Sequence, residues 1–366
     1  MKKSIYEKYA DLLINYSLHM EKGEKLFVKS TFLAEPLLKE LYRAALQAGA
    51  QVEFFLDFED QQNILLDNAD AELLQKESEL KRYAFENFDA FLSIQAPYNV
   101  NALKDADNEK MKRLKDASAG ISKIYSERTG NGSMKRSLCV FPTAALAQVA
   151  GMSMGDYEDF VFSACYLYHE NPVEEWLKVR KMQQGIVDHL NKCKTIRYVN
   201  GRTDITLNVE GRIWQNSDGC NNMPSGEVFT SPVEDSANGH IYFDYPSVYN
   251  GNEVQGVKLE VKDGYITKWS VDQGADFFDK IMEIPGTHYF GEVAIATNYG
   301  IQRPTKHTLF DEKIGGTVHL AIGQSYLNTG GKNESSVHWD LIADMKKDGE
   351  IYADGEKIYE KGQFLI

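Results

Sequence analysis

The sequence predicts an α/β N-terminal domain with a mostly parallel sheet, followed by a β-rich α+β C-terminal domain. Three observations carry that expectation. The length of 366 residues exceeds what one hydrophobic core usually organises. Helical and strand patterns alternate through the first half, which argues for a parallel sheet with helices on its faces. Beyond a long helical stretch the pattern turns to short alternating strands. The boundary is expected near Cys193, giving domains 1–192 and 193–366.

Apolar residues recur at helical spacing over 6–19, and 25–29 is a short apolar strand. A second amphipathic helix over 35–47 ends at Gly49, and 51–56 returns to strand, which makes a βαβ unit. Strands over 89–94 and 137–142 extend the series. No Gly-x-Gly-x-x-Gly or Gly-Lys-Ser/Thr follows any of these strands, and the Gly130-Asn131-Gly132 turn comes closest. This half is therefore expected to be a scaffold or a dimerisation domain. The long helix should run over 172–192, with Asn171 as its N-cap and Pro172 in its first turn. Short strands follow over 195–199, 204–209, 240–245, 257–261 and 267–271, and Asp263-Gly264 and Asp348-Gly349 carry hairpin turn chemistry.

The chain is 43% hydrophobic and 26% charged, ordinary for a soluble globular protein. A formal net charge of −14, without a basic patch interleaved with aromatics, excludes nucleic acid as an expected partner. The basic run 110–115 has acids nearby and reads as a solvated helix face. No stretch approaches the roughly 18 apolar residues of a membrane helix. Glu7 and Asp11 stand where a signal peptide needs its apolar region, so no membrane partner and a cytoplasmic location are expected. Cys139, Cys165, Cys193 and Cys220 are widely spaced and form no Cys-x-x-Cys pair, which suggests buried thiols in a reducing compartment.

The chemistry is concentrated in the last third. Glu227 and Glu292 each enter an apolar β-like segment directly after a glycine, Gly226 and Gly291, where a missing side chain leaves room for an ion or ligand to approach. Alone, either glutamate also reads as a solvent-facing strand residue. His319 lies in the otherwise apolar strand Thr317-Val318-His319-Leu320-Ala321-Ile322-Gly323, where a core histidine bonded to a backbone carbonyl is an equal reading. His338-Trp339-Asp340 has a geometric purpose: on a strand, His338 and Asp340 face the same way and Trp339 the other. Together these are three carboxylates and two imidazoles, a sensible donor set for two divalent ions. Two ions bring +4 against −3, a balance that a shared hydroxide completes. His240, His288 and His307 are weaker candidates, and His19, His169 and His189 fall on expected helices of the other domain. His-Glu-x-x-His is absent, which removes zincin chemistry.

The strings Asn222-Met223-Pro224-Ser225-Gly226-Glu227-Val228-Phe229-Thr230-Ser231-Pro232, Gly291-Glu292-Val293-Ala294, Thr308-Leu309-Phe310-Asp311-Glu312, His319-Leu320-Ala321-Ile322-Gly323 with Tyr326, and His338-Trp339-Asp340 resemble, in this order, peptidase family M29, the aminopeptidase T and aminopeptidase S group of metallopeptidases. The resemblance implies that Glu227, Glu292, His319, His338 and Asp340 ligate two metal ions in the C-terminal domain, and that Tyr326 is a catalytic-site residue. It also implies a homodimer, zinc, cobalt, manganese or magnesium as the supporting metals, and peptides with a free N-terminus as substrates. The chain, and its segment between His319 and His338, are shorter than in the longer members.

By this resemblance the expected reaction is removal of N-terminal amino acids by a water activated by the two metals, with Glu227 or Glu292 as proton acceptor and Tyr326 donating a hydrogen bond to the oxyanion. A dinuclear hydrolase of another amide or ester is the alternative, as is a catalytically silent metal-binding homologue.

Overall fold

The structure, a computed structural model, describes residues 3–366. The chain forms two compact units, Met1–Val173 with Gly219–Met223, and Glu174–Asp218 with Pro224–Ile366.

The first unit is built on a five-stranded sheet in the order Gln51–Asp57, Lys25–Thr31, Ala90–Gln95, Lys135–Val140, Asn222–Met223, and every pairing in it is parallel. The consecutive residues Leu26, Phe27 and Val28 are all buried, as a parallel strand covered on both faces requires. The helix Glu35–Ala48 buries Leu37, Leu38, Leu41, Ala44 and Ala45, the stripe its periodicity predicts, and ends at Gly49. The first helix departs from the expected regular form. An α-helix over Ile5–Asp11, capped by Ser4 and Glu7, widens into a π-helix over Leu12–Ser17. Leu12, Leu13 and Ile14 are buried in succession, more than one stripe of a 3.6-residue helix can place inward.

Cys139 and Cys165 are buried in this unit, and Cys165 Sγ lies 3.8 Å from the Tyr9 hydroxyl. Burial pushes the Cys139 thiol up to about 12 and raises Cys165 further. Cys193 and Cys220 are half-buried. Native protein at pH 8 is therefore expected to react with a thiol reagent only at the latter pair, with Cys139 and Cys165 labelled on denaturation. Fast labelling of Cys139 in the folded state, read by peptide mass, would contradict this.

The second unit holds two antiparallel sheets and the helix Pro172–Leu190, of which Glu174 onward belongs to this unit. The nine-stranded sheet includes Thr195–Asn200, Thr203–Asn208, Asn238–Phe243, Asn252–Lys262 and Tyr265–Gln273, which match the five expected strands in this region. The five-stranded sheet runs His338–Asp344, Thr317–Gly323, Phe290–Ala296, Glu227–Thr230, Gln215–Ser217. Asp263-Gly264 closes the hairpin between its flanking strands. Asp348-Gly349 does not: His338–Asp344 pairs with Thr317–Gly323, whereas Glu350–Ala353 pairs with Thr195–Asn200 and Glu356–Glu360. Turn chemistry specifies a local reversal, but the faces that must be buried select the partner strand, so this turn carries the chain from one sheet to the other. Among the described residues, no helix is long and apolar enough to cross a membrane.

Candidate metal centre

Strand alternation divides the five-stranded sheet into an apolar face and a chemical one. Val228, Val293, Ile295, Leu320, Trp339 and Leu341 point into the hydrophobic core. Trp339 faces the opposite side from the His338 and Asp340 pair, is enclosed, and donates its indole N–H to Ser247 Oγ at 2.8 Å. The opposite face takes the intervening residues. Register places Glu292 opposite Ala321, and Ala321 opposite Asp340. It likewise sets His319 opposite Ala294, Glu227 opposite Ala296 and His338 opposite Gly323. The functional side chains are thus interleaved with alanine and glycine, which leave them room to lean together over the sheet. All five expected ligands come together in this way.

The glycines that precede Glu227 and Glu292 serve a different purpose from the one their sequence context suggests. The space they leave is filled by the protein's own chain, not reserved for an ion or ligand. A Cβ on Gly291 would lie 2.1 Å from the Gln324 carbonyl oxygen, at a β-bulge between Phe290 and Glu292. Gly226 has φ +115°, and a Cβ there would sit 2.7 Å from Asn298 Cβ. The Gln324 carbonyl also accepts a hydrogen bond from His338 Nδ1 at 2.7 Å. The close approach at Gly291 therefore helps to place the carbonyl that orients His338, with Nδ1 donating to it and Nε2 directed inward.

The ligand atoms fall into two groups, Glu227 with Glu292 and His319, and Glu292 with His338 and Asp340, each with its atoms within 4.8 Å of one another. Glu292 belongs to both. Its Oε1 lies 3.6 Å from His319 Nε2 and its Oε2 3.1 Å from His338 Nε2. His319 Nε2 is 3.3 Å from Glu227 Oε2, and His338 Nε2 is 3.8 Å from Asp340 Oδ1. Tyr326 places its hydroxyl 3.3 Å from His338 Nε2, with its ring between those of His338 and Phe229.

The electrostatics match a site prepared for cations. Burial would raise Glu292, but the imidazoles of His319 and His338 outweigh it and hold the carboxyl at about 2. Burial opposes the charge on the two histidines, yet the carboxylates around them raise His319 to about 9 and His338 to about 10. Burial and then the Glu312 carboxylate push Asp340 up to about 7. Glu227 Oε2 and Asp340 Oδ1 are buried without a hydrogen-bond partner among the described residues. Buried oxygens in a fold normally find a donor, so lone pairs left open on converging carboxylates and imidazoles fit divalent cations well.

Two polar residues in and behind the site are not evident from the sequence. Lys313 is 1% exposed and pairs with Glu227 Oε1 at 3.0 Å and with Glu312. In sequence, Lys313 directly follows the string Thr308-Leu309-Phe310-Asp311-Glu312, but nothing in that charged segment signals an enclosed lysine. Gln183 is also enclosed, bonding Asn216 Oδ1 at 2.6 Å and the Ser217 carbonyl at 3.1 Å while accepting from Thr297 Oγ1 at 2.7 Å. It braces the edge strand and the end of the Glu292 strand from the long helix. The weaker histidine candidates belong to neither group. His288 bonds the Ile266 carbonyl and stacks on Tyr265, His307 packs against Phe310, and His240 faces Asp204 and Glu260 in the larger sheet.

Buried carboxylates and imidazoles gathered on one sheet face define a candidate metal centre of the hydrolytic kind. Residues 2–364 match the peptidase M29 family, thermophilic metalloproteases, and the chain belongs to that family, which makes it a peptide hydrolase. It is 28% identical over 410 aligned positions to aminopeptidase 2 of Geobacillus stearothermophilus, covering 98% of this chain and 97% of the relative. It is 25% identical to aminopeptidase AmpS of Bacillus subtilis and 24% identical to aminopeptidase T of Thermus thermophilus, each comparison covering 98% of both chains. Among solved structures, wild-type AmpT from Thermus thermophilus has a similar fold, with a TM-score of 0.86 at 22% identity over 99% of each chain. The fold also resembles 2,5-dihydroxypyridine dioxygenase from Pseudomonas putida KT2440, with a TM-score of 0.60 at 14% identity, covering 99% of this chain and 98% of that one. That likeness concerns fold alone, and the chemistry has to be read from the site.

Proposed function

We propose that the protein is an aminopeptidase that releases N-terminal amino acids from peptides at a site for two divalent ions, with Glu227, Glu292 and His319 holding one and Glu292, His338 and Asp340 the other. The observation that carries this reading is the position of Glu292 in both ligand groups, one carboxylate oxygen toward each imidazole. Family membership and the names of the relatives support the peptide substrate. Zinc, cobalt, manganese or magnesium all suit this oxygen-rich set with two imidazoles.

When bound, such ions polarise the scissile carbonyl and acidify water near neutral pH. The protein's own groups orient and move protons around that chemistry. Gln324 fixes His338 through Nδ1, leaving Nε2 as the donor atom. Tyr326, 40% exposed as a residue, is a neutral phenol at physiological pH, and desolvation around its hydroxyl followed by the nearby carboxylates only raises it further, so its hydroxyl can donate to an oxyanion. Proton acceptance falls to Glu227 or Glu292. Glutamine at each position, compared at equal metal occupancy under saturating metal, separates them: the base is the one whose variant loses more turnover.

An aminopeptidase has to sense the free α-amino group. Metal-stripped protein is therefore expected to recover hydrolysis of leucine, arginine or glutamate aminoacyl-coumarin amides when zinc, cobalt or manganese is restored, and to leave the N-acetylated forms intact. Equal turnover of free and acetylated substrates would refute the aminopeptidase reading and favour a hydrolase of other amides or esters. Bound metal without any turnover would favour a silent homologue.

A further inference from the structure

We propose that Lys313 makes the two ion positions unequal: the position formed by Glu292, His338 and Asp340 fills first, and the one formed by Glu227, Glu292 and His319 binds weakly and exchanges. The inference rests on the two-ion reading above. Lys313 is enclosed, and its ammonium is held between Glu312 and Glu227 Oε1, the latter at 3.0 Å. A buried charge persists where opposite charges surround it, and here one of those partners is a ligand. The pairing occupies one oxygen of Glu227 and leaves Oε2, which faces His319 Nε2 at 3.3 Å, to any incoming ion. A cation at this group meets half a carboxylate and a fixed positive charge within a few ångströms, and such repulsion remains strong at an effective dielectric constant of about 20.

The second group carries no such competitor. Among the described residues, no lysine or arginine pairs with Glu292, His338 or Asp340, and Asp340 Oδ1 has no hydrogen-bond partner. Lys313 thus supplies in place one of the positive charges that a second ion would otherwise bring. An enzyme of this design holds one ion firmly and loads the other from solution.

The test is titration of the metal-stripped full chain with cobalt(II), followed by calorimetry and by visible absorbance. Wild-type protein is expected to bind in two steps whose affinities differ by about tenfold or more. His338→Ala should remove the tight step and Glu227→Gln the weak one. Lys313→Met should tighten the weak step by about tenfold, and Lys313→Arg should keep the wild-type pattern. Two equal steps in wild type would overturn the proposal, as would loss of the weak step in His338→Ala. So would a weak step left unchanged or further weakened in a folded Lys313→Met protein, which would make Lys313 an orienting group for Glu227. If Lys313→Met does not fold, the assignment by His338→Ala and Glu227→Gln decides. Absence of cobalt binding in wild type would remove the two-ion reading together with this one, whereas two bound ions insensitive to Lys313 would remove only the inference drawn here.

Discussion

Replacement of Glu292 by alanine is expected to strip both ions from the protein at once and to lower turnover by at least about a thousandfold. Glu292 is the carboxylate common to the two ligand groups, within 3.6 Å of His319 Nε2 and 3.1 Å of His338 Nε2. Its loss leaves each group with two side chains, too few to compete with water for a divalent ion. Metal stabilisation of the transition state is worth several kcal/mol, and each 1.36 kcal/mol is a factor of ten in rate. By contrast, Asp340→Ala touches one group and should leave the other able to bind. The check is metal content by mass spectrometry after gel filtration, set beside turnover. A folded Glu292→Ala protein that retains two ions per chain would show that Glu292 is not shared.

The second large effect is expected one residue earlier, from the addition of a single methyl group at Gly291. The alanine Cβ would meet the Gln324 carbonyl oxygen at 2.1 Å and the Gly323 carbonyl oxygen at 2.6 Å, both backbone atoms that cannot move without the strand. Overpacking of this kind costs about 3 kcal/mol. The displacement falls on the carbonyl that accepts from His338 Nδ1 and on the bulge that presents Glu292. Gly291→Ala should therefore lower both the denaturant midpoint and the metal affinity. Gly130→Ala, at a position where an added Cβ meets nothing within 4 Å, serves as the control and should leave both unchanged. Gly291→Ala with wild-type stability and wild-type metal content would mean that the close approach at the bulge is not needed.

Much of the architecture was readable because it follows from period. The parallel sheet of the first unit comes from apolar runs separated by amphipathic helices, and the consecutive burial of Leu26, Phe27 and Val28 is what such runs encode. The gathering of the candidate ligands was legible for a related reason. His338 and Asp340 flank an inward tryptophan, and His319 and Glu292 stand in strands whose neighbours are apolar, so alternation sets them all on one face. What the sequence withheld depends on contacts between distant segments. Nothing in Asp311-Glu312-Lys313 says that its lysine reaches Glu227, because a charged triplet at a turn has the same composition whether it is solvated or enclosed. Gly226 and Gly291 advertised room, but only the fold reveals that Asn298 and Gln324 take it. Asp348-Gly349 was legible as a turn and not as a crossing between sheets, since pairing is decided by which faces are buried.

The central claim is that one carboxylate, Glu292, joins two ion positions on the face of the five-stranded sheet. Its most direct test is a crystal of the cobalt- or zinc-loaded protein measured at the metal absorption edge. Two anomalous peaks flanking Glu292, one beside Glu227 and His319 and the other beside His338 and Asp340, are the predicted result. A single peak in a crystal soaked at saturating metal, or a metal coordinated away from Glu292, would contradict the account.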